Sequence, residues 1–152
     1  MEMLKGQCTI NGVDIYEKYG AFLAYTSGDD PLANYTALLT PPEMKEQRKV
    51  DYAEDNGVRL PSTLIQRWKE REIALQFCIV AANRTQFESR YYGFLNFLKD
   101  GASGWLNISI EQLSRTWRVY LLRVTPYKQL SYFDGDVAAT FTAVFEEPNP
   151  NF

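Results

Sequence analysis

The densest run of chemically capable side chains is "KVDYAEDNGVRLPS", Lys49 to Ser62, which holds Asp51, Glu54, Asp55, an Asn-Gly pair and Arg59. A calcium loop takes oxygen ligands at its first, third and fifth positions, glycine at the sixth and a bidentate glutamate at the twelfth. Counted from Asp51, the third position is Ala53, the sixth is Asn56 and the twelfth is Ser62. The glycine falls one place late and the glutamate is missing, so the spacing argues against calcium. Paired carboxylates are the next option: Asp29 with Asp30, Glu54 with Asp55, Asp134 with Asp136, and Glu146 with Glu147. Neighbours on a strand point to opposite faces, so Glu146 and Glu147 cannot share a substrate. Asp134 and Asp136 flank Gly135 in a turn. A hydrolase built there would need burial to shift a carboxyl pKa, and a solvated turn supplies none.

Other chemistries fall to simple absences. The chain has no histidine, which removes Ser-His-Asp and Cys-His catalysis and histidine-based zinc sites. Neither a dinucleotide fingerprint nor a phosphate loop occurs. "GASG" at 101–104 follows a helical pattern, and phosphate sits at the other end of a helix. Tyr91, Tyr92, Trp105 and Trp117 could stack on bases, but no basic lane runs beside them, so core packing is expected. No catalytic, cofactor-binding or metal residue is therefore assigned, and no cofactor.

The whole chain sets wider bounds. Its 152 residues are 45% hydrophobic, 14% aromatic and 23% charged, with net charge −3. That composition describes one globular domain over 1–152 and no binder of a phosphate backbone. Cys8 and Cys78 sit in apolar-leaning runs and read as reduced, partly buried thiols. The start "MEMLKGQCTINGVD" lacks the apolar core of a signal peptide. No run approaches the ~20 apolar residues of a membrane span. These readings place the chain in the cytoplasm at synthesis.

The elements that must position these residues are mostly strands. "GQCTINGVDIYEKYGAFLAYT" reads as a strand, a turn at Asn11-Gly12 and a second extended stretch. Residues 27–35 read as a loop and 35–40 as a short strand, ended by Pro41 and Pro42. The charged segment at about 41–62 reads as a long extended loop, with a weak helical option at its start. Residues 70–82 alternate as a long strand whose core face is Ile73, Leu75, Phe77, Ile79 and Ala81. A helix is expected over about 84–99. Thr85 and Glu88 have capping-box spacing. Phe87, Tyr91, Phe94, Leu95 and Leu98 form its apolar stripe, and Gly101 is its C-cap. Gly93, inside it, would let the backbone approach a sheet. Strands resume with Leu106, Ile108 and Ile110 inward. Residues 115–127 then read as a central strand, apolar on both faces. In the last strand, at 135–147, Val137, Ala139, Phe141, Ala143 and Phe145 share a face. The expected class is mainly β (α+β), an antiparallel β-sandwich or barrel with one flanking α-helix.

Elimination leaves a structural or interaction protein. Semi-apolar second faces need a cover, and a connection as long as 41–62 is usually functional or disordered. An alternative is a small-ligand-binding β-barrel with Trp105, Trp117 and Tyr120 lining its cavity.

Four segments together resemble small tail proteins of phages and prophages, of the distal-tail and tail-tube type. They are "INGVDIYEKYGAFL", "KVDYAEDNGVRLP" leading into "REIALQFCIVA", "RTQFESRYYGFLNFL", and the closing "VAATFTAVFEEPNP". The resemblance implies a β-sandwich that assembles with itself, usually as a hexameric ring around a channel, and contacts other tail proteins. It implies location in the virion tail, after assembly in the bacterial host cytoplasm. It makes Asn56-Gly57 the tip of a reaching hairpin. Tyr52, Asp55, Asn56, Gly57 and Arg59 become candidate subunit contacts, aromatics and arginine being enriched at interfaces. A mildly acidic chain suits a lumen that passes DNA without binding it. The chain stops at Phe152, whereas many distal-tail proteins carry a further C-terminal domain.

Overall fold

Period-two alternation organises the long strands, and in the computed structural model they build a seven-stranded antiparallel sheet flanked by helices. Residues 5–24 and 32–152 are described. In chain order the elements are β1 (Cys8–Ile10), β2 (Val13–Asp14), α1 (Ile15–Tyr19), β3 (Ala21–Leu23), α2 (Ala33–Leu39) and β4 (Arg71–Ala81). There follow α3 (Arg84–Asp100), β5 (Leu106–Ile110), a 3-10 turn (Glu111–Leu113), β6 (Arg115–Gln129) and β7 (Val137–Glu147). The strand order is β2-β1-β5-β6-β7-β4-β3.

β6 joins two half-sheets. Its first part, Arg115–Val119, pairs with β5, and its second part, Tyr120–Gln129, pairs with β7 through two register shifts. The halves share one core. Cys8, Ile10, Leu106, Ile108 and Trp117 come from one, and Ile73, Leu75, Phe77, Phe141 and Phe145 from the other. α3 closes that core with Phe87, Phe94 and Leu98. Phe94 packs edge-on to Phe77 with centroids 5.5 Å apart, and Phe77 stacks on Phe141 at 5.8 Å. The expected mainly β class with a flanking helix is what forms. Each inward residue expected on β4, β5 and β7 is buried.

Several local expectations give way to tertiary context. The extended stretch after Asn11-Gly12 is interrupted by α1. Asp14 caps it by accepting from the Tyr16 N–H at 3.1 Å, and Gly20 ends it with φ 65°. A side chain at Gly20 would meet the Val80 carbonyl at 2.7 Å, so this corner needs glycine on two counts. Residues 35–40 are mostly helix, not strand. α2 wins because its buried residues Asn34 and Leu38 are one turn apart and face β4 together. The Asn34 amide accepts from the Gln76 N–H at 2.7 Å and donates to its carbonyl at 3.1 Å, extending the ladder where β3 stops.

The capping box is also displaced. Asn83 is the N-cap and accepts from the Gln86 N–H at 2.9 Å, while Gln86 accepts from the Ala82 N–H at 2.7 Å. Both partners lie two residues upstream of Thr85 and Glu88, and the return bond reaches the residue before the cap instead of the cap's own N–H. Glu88 instead pairs with Arg84 one turn away at 3.1 Å. Gly93 makes a close approach, but to the Tyr19 ring of α1 rather than to a sheet. β6 is central in the strand order, yet only Trp117 and Val119 along it are buried. Residues 121–129 keep one strand partner, β7, and their other backbone edge has none among the described residues.

Candidate interaction surface

Between α2 and β4 the chain leaves the sheet for thirty residues, 41–70, without a helix or a named strand. Pro41 and Pro42 cannot continue α2 because they lack the N–H it would need. No helix forms at 43–50. Two legs run antiparallel instead. The Lys69 N–H donates to the Glu43 carbonyl at 2.8 Å and the Lys45 N–H to the Arg67 carbonyl at 2.7 Å. The Gln47 side chain supplies the next rung, to the Ile65 carbonyl at 3.1 Å. Val50 and Arg59 then exchange two backbone bonds, of 3.0 and 2.7 Å, around the tip. Between the last two rungs the register slips. Slippage is tolerated here because neither face is buried.

Arg71 fixes the root of this arm. Its guanidinium is buried and bonds the Glu147 carboxylate at 2.7 Å. It also donates to the carbonyls of Leu38 at 2.9 Å, Thr40 at 2.6 Å and Ala37 at 3.3 Å, the orphan acceptors at the end of α2. Phe152 lies over the same guanidinium at 4.7 Å and packs against Trp68 at 5.7 Å. One arginine therefore joins α2, β4, β7 and the arm's base.

The candidate contact residues sit together at the tip. The Asp55 N–H donates to the Tyr52 carbonyl at 3.1 Å. Asp55 pairs with Arg59 at 2.8 Å, and that guanidinium lies over the Tyr52 ring at 5.0 Å. Asn56 is exposed, and Gly57 turns with φ 70° in open space. Tyr52 and Arg59 are both exposed. Met44, Val50, Val58, Leu60, Leu64 and Ile65 on the arm are exposed as well. An exposed hairpin of this kind is marginal alone, and its apolar side chains are left in contact with water.

The other candidates disperse. Asp29 and Asp30 lie outside the described residues. Asp55 is taken by Arg59, and among the described residues no three His, Cys, Asp or Glu side chains gather as a metal site. Glu147 is buried against Arg71, whereas Glu146 accepts from the Tyr120 hydroxyl on the opposite face. That hydrogen bond to Glu146, before any burial, pushes the Tyr120 phenol above its usual pKa. Asp134 and Asp136 are both exposed around Gly135, although Asp136 borders a cavity of about 540 Å³ beside α3. Trp117 is buried in the core. Trp105 packs edge-on to Tyr120 at 5.8 Å, under the Arg118 guanidinium at 4.4 Å. Trp117 thus fills core space, whereas Trp105 and Tyr120 pack on each other half-buried. Tyr91 is half-buried and stacks on Phe87 at 5.7 Å, but Tyr92, also expected in the core, is 61% exposed.

Both thiols are buried and free. Burial, with Asp14 nearby, raises Cys8 to about 12, and burial raises Cys78 to about 11. Neither is expected to react with a maleimide at pH 7.5 in the folded protein, and both should react in denaturant. Above about pH 9 the unfolded chain releases thiol protons that the folded chain keeps, so these groups make stability fall as pH rises. Rapid labelling of the folded protein at pH 7.5 would contradict their burial.

No family model matches the sequence, and no curated protein matches it. Among solved structures, one that matches is the SPP1 Dit (gp 19.1) protein, described as a paradigm of the hub adsorption apparatus in Gram-positive-infecting phages. It aligns with a TM-score of 0.54 at 16% identity, over 91% of this chain and 48% of that one. The chain shares its fold with a phage hub protein. It spans about half that protein's length. In this fold the features that the sequence did not announce are the aromatic hairpin between β6 and β7 and the edge of β6 that has no strand partner among the described residues. The hairpin had a signal: "LSYFDGD", residues 130–136, puts Leu130, Tyr132 and Phe133 into a turn, where apolar residues have no local reason to be.

Proposed function

We propose that this chain is a non-enzymatic structural subunit of a phage or prophage tail, which closes with itself into a ring of six around a channel. The observation that carries the reading is the arm of residues 41–70. It projects uncovered apolar side chains from a fold shared with a phage hub protein. A lone soluble domain gains nothing from such an arm, whereas a subunit that docks on its neighbour buries it. The one-sided pairing of residues 121–129 is a second place for a neighbour, since a free edge accepts another strand. Here Pro126, Arg123, Lys128 and the two register shifts discourage indiscriminate pairing. Other tail proteins would contact the faces the ring leaves open, in the virion tail, after assembly in the host cytoplasm. Net charge −3 leaves a lumen through which DNA passes unbound.

Analytical ultracentrifugation across a wide concentration range tests this. Mass should rise with concentration toward a closed species of six subunits. A monomer at every concentration up to the millimolar range would overturn the reading.

A further inference from the structure

The end of the molecule opposite the arm carries an aromatic surface that the fold does not use. Tyr132 is 89% exposed and Tyr92 is 61% exposed, and Tyr127, Leu130 and Phe133 are each about half-exposed. Three of them are linked through ring contacts: Phe133 meets Phe87 at 5.9 Å, Phe87 stacks on Tyr91, and Tyr91 touches Tyr92 at 5.5 Å and Tyr127 at 5.3 Å. Leu130 and Tyr132 lie on the same turn as Phe133 and line one cleft. At ~200 Å² for each large side chain, the five offer roughly 600 Å² of apolar area. That is at the top of what a monomer usually exposes in one patch, and most of the ~800 Å² that each partner gives to a standard interface. Two clefts adjoin it, of about 540 and 400 Å³, and Ser131 lines both. The surface is thus relief, not a flat face, and it fits a narrow protruding segment.

The chain itself supplies such a segment. β4 and β7 pair from Arg71–Glu147 to Ala81–Val137. The arm leaves at the first end and the larger cleft opens at the second. Eleven rungs separate them, about 33 Å at ~3.3 Å per residue. The arm's root thus lies at the far end of the strand pair from the patch, and its apolar side chains are uncovered. The charges do not oppose contact. Asp55 and Arg59 neutralise each other on the arm. The Arg84 guanidinium lies over the Phe133 ring at 5.5 Å, and Asp136 borders the larger cleft, so both signs of charge adjoin the patch.

Resting on the ring reading above, we propose that the arm of one copy docks on the aromatic patch of the next, by Val58, Leu60, Leu64 and Ile65 against Tyr92, Tyr132 and Phe133. The contact is head-to-tail: each copy gives an arm and receives one. Such contacts propagate, closing into a ring when the rotation allows.

Two exposed double variants test it by complementation. Leu64→Asp/Ile65→Asp spoils the arm, and Tyr92→Asp/Tyr132→Asp spoils the patch. Circular dichroism and Tm should match the unsubstituted protein, because all four side chains are exposed. Each variant alone is expected to self-associate about 100-fold more weakly or worse. Mixed, they should form one-to-one heterodimers and stop there, since an intact arm meets an intact patch once. Self-association of the unsubstituted protein with no heterodimer in the mixture overturns the docking but leaves the ring. So does a patch variant that assembles normally. An unsubstituted protein that never associates overturns both.

Discussion

Arg71→Met is expected to lower stability by about 3–5 kcal/mol, the cost of leaving one member of a buried ion pair alone. The lost partner would be Glu147, whose carboxylate is buried and has the Arg71 guanidinium at 2.7 Å. Three carbonyls at the end of α2 would lose a donor at the same time. For a domain of this size the change should lower Tm by roughly 10 °C, read by thermal or urea denaturation followed by tryptophan fluorescence. The double variant Arg71→Met/Glu147→Met should recover much of the loss, because an apolar pair has no charge to desolvate. A loss below about 1 kcal/mol in the single variant would place the pair in water. Amide exchange at Lys45 and Lys69, the lowest rungs of the arm, should quicken in the single variant even where the sheet remains protected.

What could be read from the sequence is what rests on long, regular periodicity. β4 and β7 each run eleven residues with an uninterrupted inward row, and α3 carries its stripe over seventeen. In such elements burial of a whole face outweighs any single preference. α1 and α2 are too short for that signal. Tyr35 and Thr36 lean toward strand by propensity, and long-range contacts decide for helix: Leu38 is buried, and the Asn34 amide meets Gln76, forty-two positions away. The Arg71–Glu147 pair lies seventy-six positions apart, and nothing local marks either residue as buried. On the candidate surface, the turn chemistry of Asn56-Gly57 was legible, as was the length of the connection. The receiving patch was not, because an exposed aromatic and a core aromatic look alike in sequence until the packing shows which rings have partners.

The arm and the core should therefore fail independently. Replacing Lys49–Leu60 with Asn-Gly keeps the rung between Gln47 and Ile65, and removes the tip with Tyr52, Asp55, Asn56, Gly57 and Arg59. None of the lost side chains belongs to the core cluster. Shortening a loop of this length changes its closure entropy by only a few tenths of a kcal/mol. Stability is expected to stay within about 0.5 kcal/mol of the full-length chain, as for surface changes in general. Assembly should be lost, read as a monomer by light scattering at concentrations where the unshortened chain is expected to self-associate. The contrast with Arg71→Met separates two roles in one structure: Arg71 holds the fold and, through the root, aims the arm, while the arm's own side chains contribute to the fold almost nothing. A fall of more than about 2 kcal/mol on shortening would show that the tip is part of the folding unit. Normal assembly of the shortened chain would move the subunit contact off the tip and onto the lower legs or the unpaired edge of β6.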